Sequence, residues 1–301
     1  MPQSARPRRS VLYMPGSKTR ALEKAKSLPA DALILDLEDA VAISEKESAR
    51  GLIAQAVRER GFGRREVIVR INGLDTQWGE QDLEMAAFVG PDAILIPKVE
   101  DAETVQYVAR RLGSLGAPEH TMIWAMMETP LAMLRAPEIA GASTKLGCLV
   151  MGTNDLVKEL QAEHTESRIP VLTALSFCIL AARAYKLAIL DGVYNAIQDE
   201  DALAASCRQG REMGFDGKTL IHPAQIAVTN RVFAPSEEEL DLARRYVEAF
   251  REAEAAGRGV AVVDGRLVEN LHVENAKRQI AMAEQIAALE ADLPPEMRAK
   301  A

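Results

Sequence analysis

Short apolar runs alternate with longer amphipathic segments along most of this chain. The run at residues 66–72 is near-continuously apolar, which is typical of strands buried on both faces of a parallel sheet. Eight strand candidates precede about residue 225. We predict strands at residues 10–16, 32–38, 66–72, 93–98, 122–127, 146–151, 187–191 and 218–222.

Helical patterns fill the intervals between these strands. We predict helices at residues 18–27, 44–60, 79–89, 102–115, 131–140 and 201–213, with further helical segments up to Tyr185. Strand–helix alternation implies parallel pairing through right-handed crossovers. Eight units predict a (β/α)8 TIM barrel, whose usual span is about 250 residues. A doubly wound open sheet is the alternative, but Met14–Lys18 after the first strand lacks the glycine-rich dinucleotide fingerprint.

The pattern changes after the eighth strand. A charged helix is predicted at 236–254, a small hairpin at 257–268 with its turn at Asp264-Gly265, and a last helix at 273–290 before Pro294-Pro295. We therefore predict a catalytic barrel domain over residues 1–230 and a C-terminal cap over 231–301. This cap is too small for an independent core, and we expect it to pack on the barrel or on another subunit.

Charge and composition exclude several classes of function. The chain has 301 residues, is 48% hydrophobic and carries a net charge of −8, which argues against a nucleic-acid partner. No apolar run approaches the roughly 18 residues that span a bilayer, and the basic start lacks the apolar segment of a secretory signal. Cys148, Cys178 and Cys207 are widely spaced and predict reduced core thiols of a cytoplasmic protein.

Three carboxylates end the second predicted strand. Asp36 and Glu38 share one face of that strand, and Asp39 follows them. Such acids repel one another and resist desolvation unless a cation or a network of donors compensates them. The alternative is a solvated strand end followed by a helix cap.

Polar residues recur at the carboxyl ends of nearly all the predicted strands, where barrel enzymes carry their active sites. They are Ser17, Lys18, Asp36, Glu38, Asp39, Arg70, Asn72, Lys98, Glu100, Glu128, Asn154, Asp155, Asp191 and His222. Glu128 and Asp155 follow neighbouring strands, so they could converge on one hard cation such as Mg²⁺. The alternatives are a rim carboxylate paired with a Lys or Arg for Glu128 and a helix N-cap for Asp155.

Arg70 lies on a buried strand and therefore needs an anionic partner. That partner could be the acids at 36–39, a substrate carboxylate, or both, and a purely structural ion pair is the alternative. Lys18 and Lys24 lie on the first helix, where phosphate binding competes with simple solvation. His222 is read more readily as a loop histidine than as a catalytic base.

Several motifs resemble one known family, the citrate lyase β-subunit/malyl-CoA lyase family of CoA-ester lyases in the HpcH/HpaI aldolase superfamily. The motifs are Arg9–Ser17, Leu35–Val41, Val69–Asn72, Ile96–Glu100, Met127–Pro130, Gly152–Leu156 and Gly217–Pro223. The resemblance implies a Mg²⁺-dependent barrel enzyme that cleaves or forms the C–C bond of a 3-hydroxyacyl-CoA such as malyl-CoA or citramalyl-CoA. Cleavage gives an acyl-CoA and a 2-oxo acid of the oxaloacetate, glyoxylate or pyruvate type, and the reverse reaction joins the two.

The resemblance also implies roles for individual residues. Metal ligation falls to Glu128 and Asp155, and catalysis to Arg70 and Glu269. With these ligands assigned, we expect Asp36, Glu38 and Asp39 to support the site, with Glu38 and Asp39 holding metal-bound waters and orienting Arg70. Substrate or CoA binding falls to Arg70, Asn154, Tyr13, Lys18, Lys24, Ile221 and His222. We expect a homo-oligomer, a trimer or a hexamer, in which the C-terminal cap reaches a neighbouring subunit.

One position departs from the family pattern. Glu269 stands where the family usually carries Asp, and a displacement near 1 Å can cost about 100-fold in rate. Thioesterase or malate-synthase-type activity on malyl-CoA is therefore a real alternative to lyase activity. A citrate lyase β-subunit acting on an acyl-carrier-protein thioester, or a barrel that has lost catalysis, are further alternatives.

Overall fold

The structure is a computed structural model and describes residues 6–293 and 297. The chain forms two compact units, the barrel unit Arg8–Phe233 and the C-terminal unit Ala234–Asp292. The expected division into domains at residues 230 and 231 stays a prediction. No helix among the described residues is long and apolar enough to cross a bilayer.

Eight parallel strands close into a barrel in chain order. They are β1 (Ser10–Pro15), β2 (Ala32–Asp36), β3 (Glu66–Arg70), β4 (Ala93–Ile96), β5 (Met122–Met127), β6 (Leu146–Met151), β7 (Ala188–Asp191) and β8 (Gly217–Leu220). Because the sheet is closed and has no edge strand, the open doubly wound alternative is excluded. The prediction of a (β/α)8 barrel is confirmed.

Helices connect the strands. They are α1 (Thr19–Ala25), α2 (Lys46–Glu59), α3 (Gly79–Val89), α4 (Ala102–Ser114), α5 (Pro130–Leu134), α6 (Ala136–Ala140), α7 (Thr153–Glu159), α8 (Ile169–Ala184), α9 (Glu200–Met213) and α10 (Ile226–Phe233). Short 3₁₀ turns precede α2 and α10. The single helix predicted at 131–140 is wrong, since the chain breaks at Arg135 between α5 and α6. Pro137 has no N–H to donate to the carbonyl four residues back, so a continuous helix is disfavoured there.

Alternate strand residues point into the barrel. The inner core includes Val11, Ile34, Ile68, Leu95, Trp124, Val150 and Leu190, while the opposite strand faces pack under the helices. Asp36 and Arg70 lie two residues beyond Ile34 and Ile68, so both point inward. Asp191 directly follows the inward Leu190 and therefore points outward to the helices.

The C-terminal unit contains the predicted helices and hairpin. Its elements are α11 (Glu237–Ala255), β9 (Ala261–Val263), β10 (Arg266–Val268) and α12 (Asn270–Ala291). Ser236 and Glu239 form a reciprocal capping box at the start of α11. Asp264 and Gly265 have φ of 52° and 75°, the left-handed pair that a tight hairpin turn requires. The last helix begins three residues before the predicted Val273, and Pro294-Pro295 lie outside the described residues.

Candidate active site

Arg70 is the cation that faces the three acids at the end of β2. Strand pairing sets Asp36 opposite Arg70, and the guanidinium binds that carboxylate at both oxygens, with Nε–Oδ1 at 2.7 Å and Nη2–Oδ2 at 2.6 Å. Its Nη1 lies 2.7 Å from Glu38 Oε2 and 3.7 Å from Asp39 Oδ2. We call these four residues the mouth cluster. One positive charge thus meets three carboxylates.

Backbone and lysine donors fix the loop that carries these acids. The Asp36 carboxylate accepts the N–H groups of Glu38 at 2.9 Å and Ala40 at 3.1 Å. The buried Lys46 ammonium donates to the carbonyl oxygens of Leu37 at 2.9 Å and Glu38 at 2.7 Å. The orientation of the mouth cluster is therefore set before any ligand binds.

Tyr13 supports Arg70 from the barrel interior. Its ring centroid lies 4.8 Å from the guanidinium carbon, within range of a cation–π interaction. Its hydroxyl contacts the Met126 sulfur at 3.6 Å, and burial raises the pKa of the phenol although Arg70 opposes the shift. The expected contact of Tyr13 with CoA stays a prediction.

Glu128 is a buried carboxylate held from two sides. Its Oε1 accepts the backbone N–H of Lys98 at 2.8 Å, and Gly152 lies so close that a Cβ there would stand 2.5 Å from Oε2. Burial raises the pKa of Glu128 to about 7, with further upward effects from Glu38 and Asp155 and an opposing effect of the Lys98 N–H. Glycine at 152 is thus required for this carboxylate to fit.

Glu38 has the same electrostatic character. Burial raises its pKa to about 7; Arg70 opposes this shift, and the neighbouring charges of Asp39 and Asp36 reinforce it. Two acids whose charged forms are disfavoured by burial lie at one end of the barrel. A cation bound there would stabilise both ionised forms.

Glu128 and Asp155 have the ligand chemistry that suits a magnesium ion, and their role as metal ligands stays a prediction. Asp155 lies in the first turn of α7, whose N-cap is Gly152, so Asp155 is not the helix cap. Glu128 forms no salt bridge within the described part of the chain, which excludes the alternative of a rim ion pair. Among the described residues no three His, Cys, Asp or Glu side chains gather as a metal-binding group. A site of two carboxylates completed by water and substrate oxygens is typical of Mg²⁺.

The two lysines expected to bind CoA lie at the surface. Lys18 immediately precedes α1 and its ammonium lies 3.7 Å from Glu45 Oε1, while Lys24 is exposed near the end of α1. Their roles in phosphate binding stay predictions.

A buried glutamine fixes the segment that follows β8. Gln225 accepts the N–H groups of Ile221 at 3.1 Å and His222 at 3.3 Å and donates to the carbonyl of Tyr194 at 2.8 Å. The His222 ring accepts the Ala224 N–H at 3.2 Å, so one ring nitrogen caps a turn. This is the local role that the sequence favoured for His222, and substrate contact by Ile221 or His222 stays a prediction.

The remaining predicted site residues, Asn154 and Glu269, are exposed, and each is hydrogen-bonded to another side chain. Asn154 exchanges two amide hydrogen bonds with Asn195, at 3.2 and 2.9 Å. In the C-terminal unit, Glu269 occupies the N-cap position of α12, and its backbone N–H donates to His272 Nδ1 at 3.1 Å. The catalytic role of Glu269 stays a prediction.

A second buried ion group lies on the outer face of the barrel. Asp191 binds Arg168 through both carboxylate oxygens and the Lys218 ammonium at 2.8 Å, and it accepts the Gly192 N–H at 2.8 Å. Burial alone would raise the pKa of Asp191, but Lys218 and Arg168 hold it below its ordinary value. We call Asp191, Arg168 and Lys218 the outer cluster.

The sequence analysis assigned no role to Lys46 or Gln225, and it named Lys98 only among the polar residues at strand ends. The position of Lys98, after Pro97 at a strand end, could have identified it as a candidate site residue. No sequence feature singles out Lys46 or Gln225, because a lysine or glutamine near a helix start is usually solvated.

The sequence matches the model of the HpcH/HpaI aldolase/citrate lyase family over residues 9–223. A (3S)-malyl-CoA thioesterase of Cereibacter sphaeroides is 56% identical over 290 residues, covering 96% of this chain and 99% of the relative. The citrate lyase subunit beta of Escherichia coli is 34% identical over 287 residues, covering 94% and 95%.

Solved structures with this fold carry ligands. The protein CitE from Mycobacterium tuberculosis in complex with magnesium, acetoacetate and coenzyme A superposes with a TM-score of 0.73 at 29% identity, covering 91% of this chain and 97% of that one. A citrate lyase beta subunit from M. tuberculosis complexed with oxaloacetate and magnesium superposes with a TM-score of 0.67, also at 29% identity, covering 77% and 100%.

Proposed function

This chain belongs to the HpcH/HpaI aldolase/citrate lyase family, as its motifs predicted, and we propose that it hydrolyses malyl-CoA with Mg²⁺ as cofactor. Water adds to the thioester carbonyl, the C–S bond breaks, and malate and the CoA thiol leave. The observation that carries the proposal is the excess of buried carboxylate around one guanidinium at the barrel mouth. The 56% identical thioesterase supports the choice of substrate and reaction.

Arg70 is placed to bind the substrate oxygen on which charge develops. A guanidinium has five N–H donors; its hydrogen bonds to Asp36 engage two of them, and Nη1 forms an ion pair with Glu38. The N–H groups that are not bonded to Asp36 can donate to a thioester or carboxylate oxygen. Because Asp36 and the Tyr13 ring hold the guanidinium in place, it stabilises a developing oxyanion with little reorganisation.

Glu128 and Asp155 would hold the metal. Bound Mg²⁺ acts as a Lewis acid that polarises a substrate oxygen. We assign Glu38 and Asp39 to the hydrogen bonding of water around the metal and to the orientation of Arg70, a supporting role of the kind that outer ligand partners play. Tyr13 and the apolar residues of the barrel interior exclude water from the side of the site that faces into the barrel.

The test is an assay of the purified protein with (3S)-malyl-CoA and Mg²⁺ in which free thiol and 2-oxo acid are followed separately. We expect thiol release without glyoxylate. Glu128→Gln should lower turnover by at least about 100-fold, since loss of a metal ligand would remove the cation that stabilises the developing negative charge. Glu138→Gln, at an exposed glutamate of α6, is the matched control and should behave as the parent. Unchanged turnover in Glu128→Gln would contradict the proposal.

C–C lyase activity at the same site is the second candidate. The E. coli citrate lyase subunit favours it, as does the cationic setting that suits a thioester enolate. Glyoxylate and acetyl-CoA formed in equal amounts, with no free thiol, would select this candidate over hydrolysis.

A further inference from the structure

Lys98 has a strained backbone at the barrel mouth. It follows Pro97 after β4 and has φ of 47°, in the left-handed region that side chains other than glycine adopt at a steric cost. Such residues persist where the surrounding structure holds them, and they cluster at functional sites.

The conformation directs the Lys98 N–H at Glu128. That N–H donates to Oε1 at 2.8 Å, and the next N–H, of Val99, donates to the Met126 carbonyl at 3.2 Å. The other oxygen of Glu128, Oε2, lies against Gly152. Oε1 is therefore engaged by the backbone, and Oε2 is the oxygen left for a cation.

The Lys98 side chain lies in the field of the same acids. Partial burial lowers the pKa of its ammonium, but the carboxylates of Asp155, Glu128, Glu38 and Asp39 raise it more. The side chain is exposed and forms no ion pair among the described residues. Its charge therefore acts on the acids over a distance rather than through one contact.

We propose, on the premise of the function proposed above, that Lys98 is a positioning residue that tunes the metal site. Its backbone orients Glu128, and its ammonium offsets part of the negative charge that attracts Mg²⁺. The same positive charge draws in the anionic substrate. Loss of the ammonium should therefore tighten metal binding and weaken anion binding at once.

The experiment is a calorimetric titration of metal-free protein with Mg²⁺ in the absence of substrate. Lys98→Met and Lys98→Gly should each lower the Kd for Mg²⁺ about three- to tenfold, the range expected for one partly screened charge. Lys98→Arg keeps the charge and should restore the parent affinity within about twofold. Glycine also relieves the backbone strain, so Lys98→Gly should melt no lower than Lys98→Met.

A second titration uses malate, the acid that hydrolysis releases, with Mg²⁺-saturated protein. Malate should bind about three- to tenfold more weakly to the Met and Gly variants and normally to Lys98→Arg. Thermal melts and circular dichroism establish that each variant is folded. A structural role alone would not give opposite shifts for the cation and the anion.

Two outcomes separate this inference from the proposed function. If the folded Lys98→Met and Lys98→Gly variants bind Mg²⁺ as the parent does, and Glu128→Gln still abolishes Mg²⁺ binding, the inferred role of Lys98 is overturned and the proposed function stands. Absence of Mg²⁺ binding in the parent overturns the proposed function and this inference with it.

Discussion

The mouth cluster and the outer cluster both hold an arginine against an aspartate that ends a barrel strand, but their charge balance is opposite. At the mouth, one guanidinium meets the three acids Asp36, Glu38 and Asp39. In the outer cluster, Asp191 alone meets two cations. The pKa of Glu38 is raised to about 7, mainly by burial, whereas two cations outweigh burial and lower that of Asp191.

The difference shows that burial of ions does not by itself mark a functional site. The outer cluster satisfies its carboxylate completely and faces the helices, so it ties β7 and β8 to the segment before α8. The mouth cluster leaves carboxylate charge uncompensated and faces the open end of the barrel. Because the fold maintains this uncompensated negative charge, we infer that the mouth binds a ligand of opposite charge.

Removal of the outer acid should give the largest loss of stability. Asp191→Asn leaves Arg168 and Lys218 buried beside each other, which should cost about 3–5 kcal/mol in the free energy of unfolding at pH 7. Because folding lowers the pKa of Asp191, its contribution is complete above the ordinary value of 3.8 and is lost only as the pH falls below it. Urea denaturation as a function of pH measures both effects.

The matched control is Asp201→Asn at an exposed aspartate of α9, which should change the free energy of unfolding by no more than about 0.5 kcal/mol. Equal stability of Asp191→Asn and this control would remove the structural role of the outer cluster.

At the mouth, a smaller effect of opposite sign is expected. Folding raises the pKa of Glu38 from 4.5 to about 7, so the wild-type protein loses stability as the pH rises through that window. Glu38→Gln removes this loss. In metal-free protein, its stability relative to the parent should improve by about 1–2 kcal/mol between pH 5 and pH 8.

Glu47→Gln, at an exposed glutamate of α2, is the control, and its free energy of unfolding should change with pH as that of the parent does over the same range. If the free energy of unfolding of Glu38→Gln also changed with pH as that of the parent does, the excess of carboxylates at the mouth would not destabilise the fold. The contrast between the clusters would then disappear.

The mouth cluster was easier to predict from the sequence than the outer cluster. Asp36 and Arg70 end consecutive strands of a parallel barrel, so their contact followed from topology. Asp191 was grouped with the other polar strand ends, yet it points outward. Its direction was hidden because strands buried on both faces show no polar alternation, and Lys218 lies within such a strand.

The barrel itself was predictable because most strands are apolar runs that alternate with helical segments, although β8 (Gly217–Leu220) contains Lys218 and Thr219. The ends of β5 and β6 were predicted to the residue. The backbone angle at Lys98 and the buried bonds of Lys46 and Gln225 were not, since they arise from tertiary contacts between distant segments.

The central claim is that the mouth cluster is functional and the outer cluster structural, and paired arginine variants test it most directly. The measurement is kcat/KM for thiol release from (3S)-malyl-CoA with saturating Mg²⁺. Arg70→Lys should lower it about 100-fold or more, because an ammonium cannot reproduce the planar donors. Arg168→Lys should stay within about threefold of the parent, at reduced stability. The reverse order, or equal losses in both variants, would contradict the account.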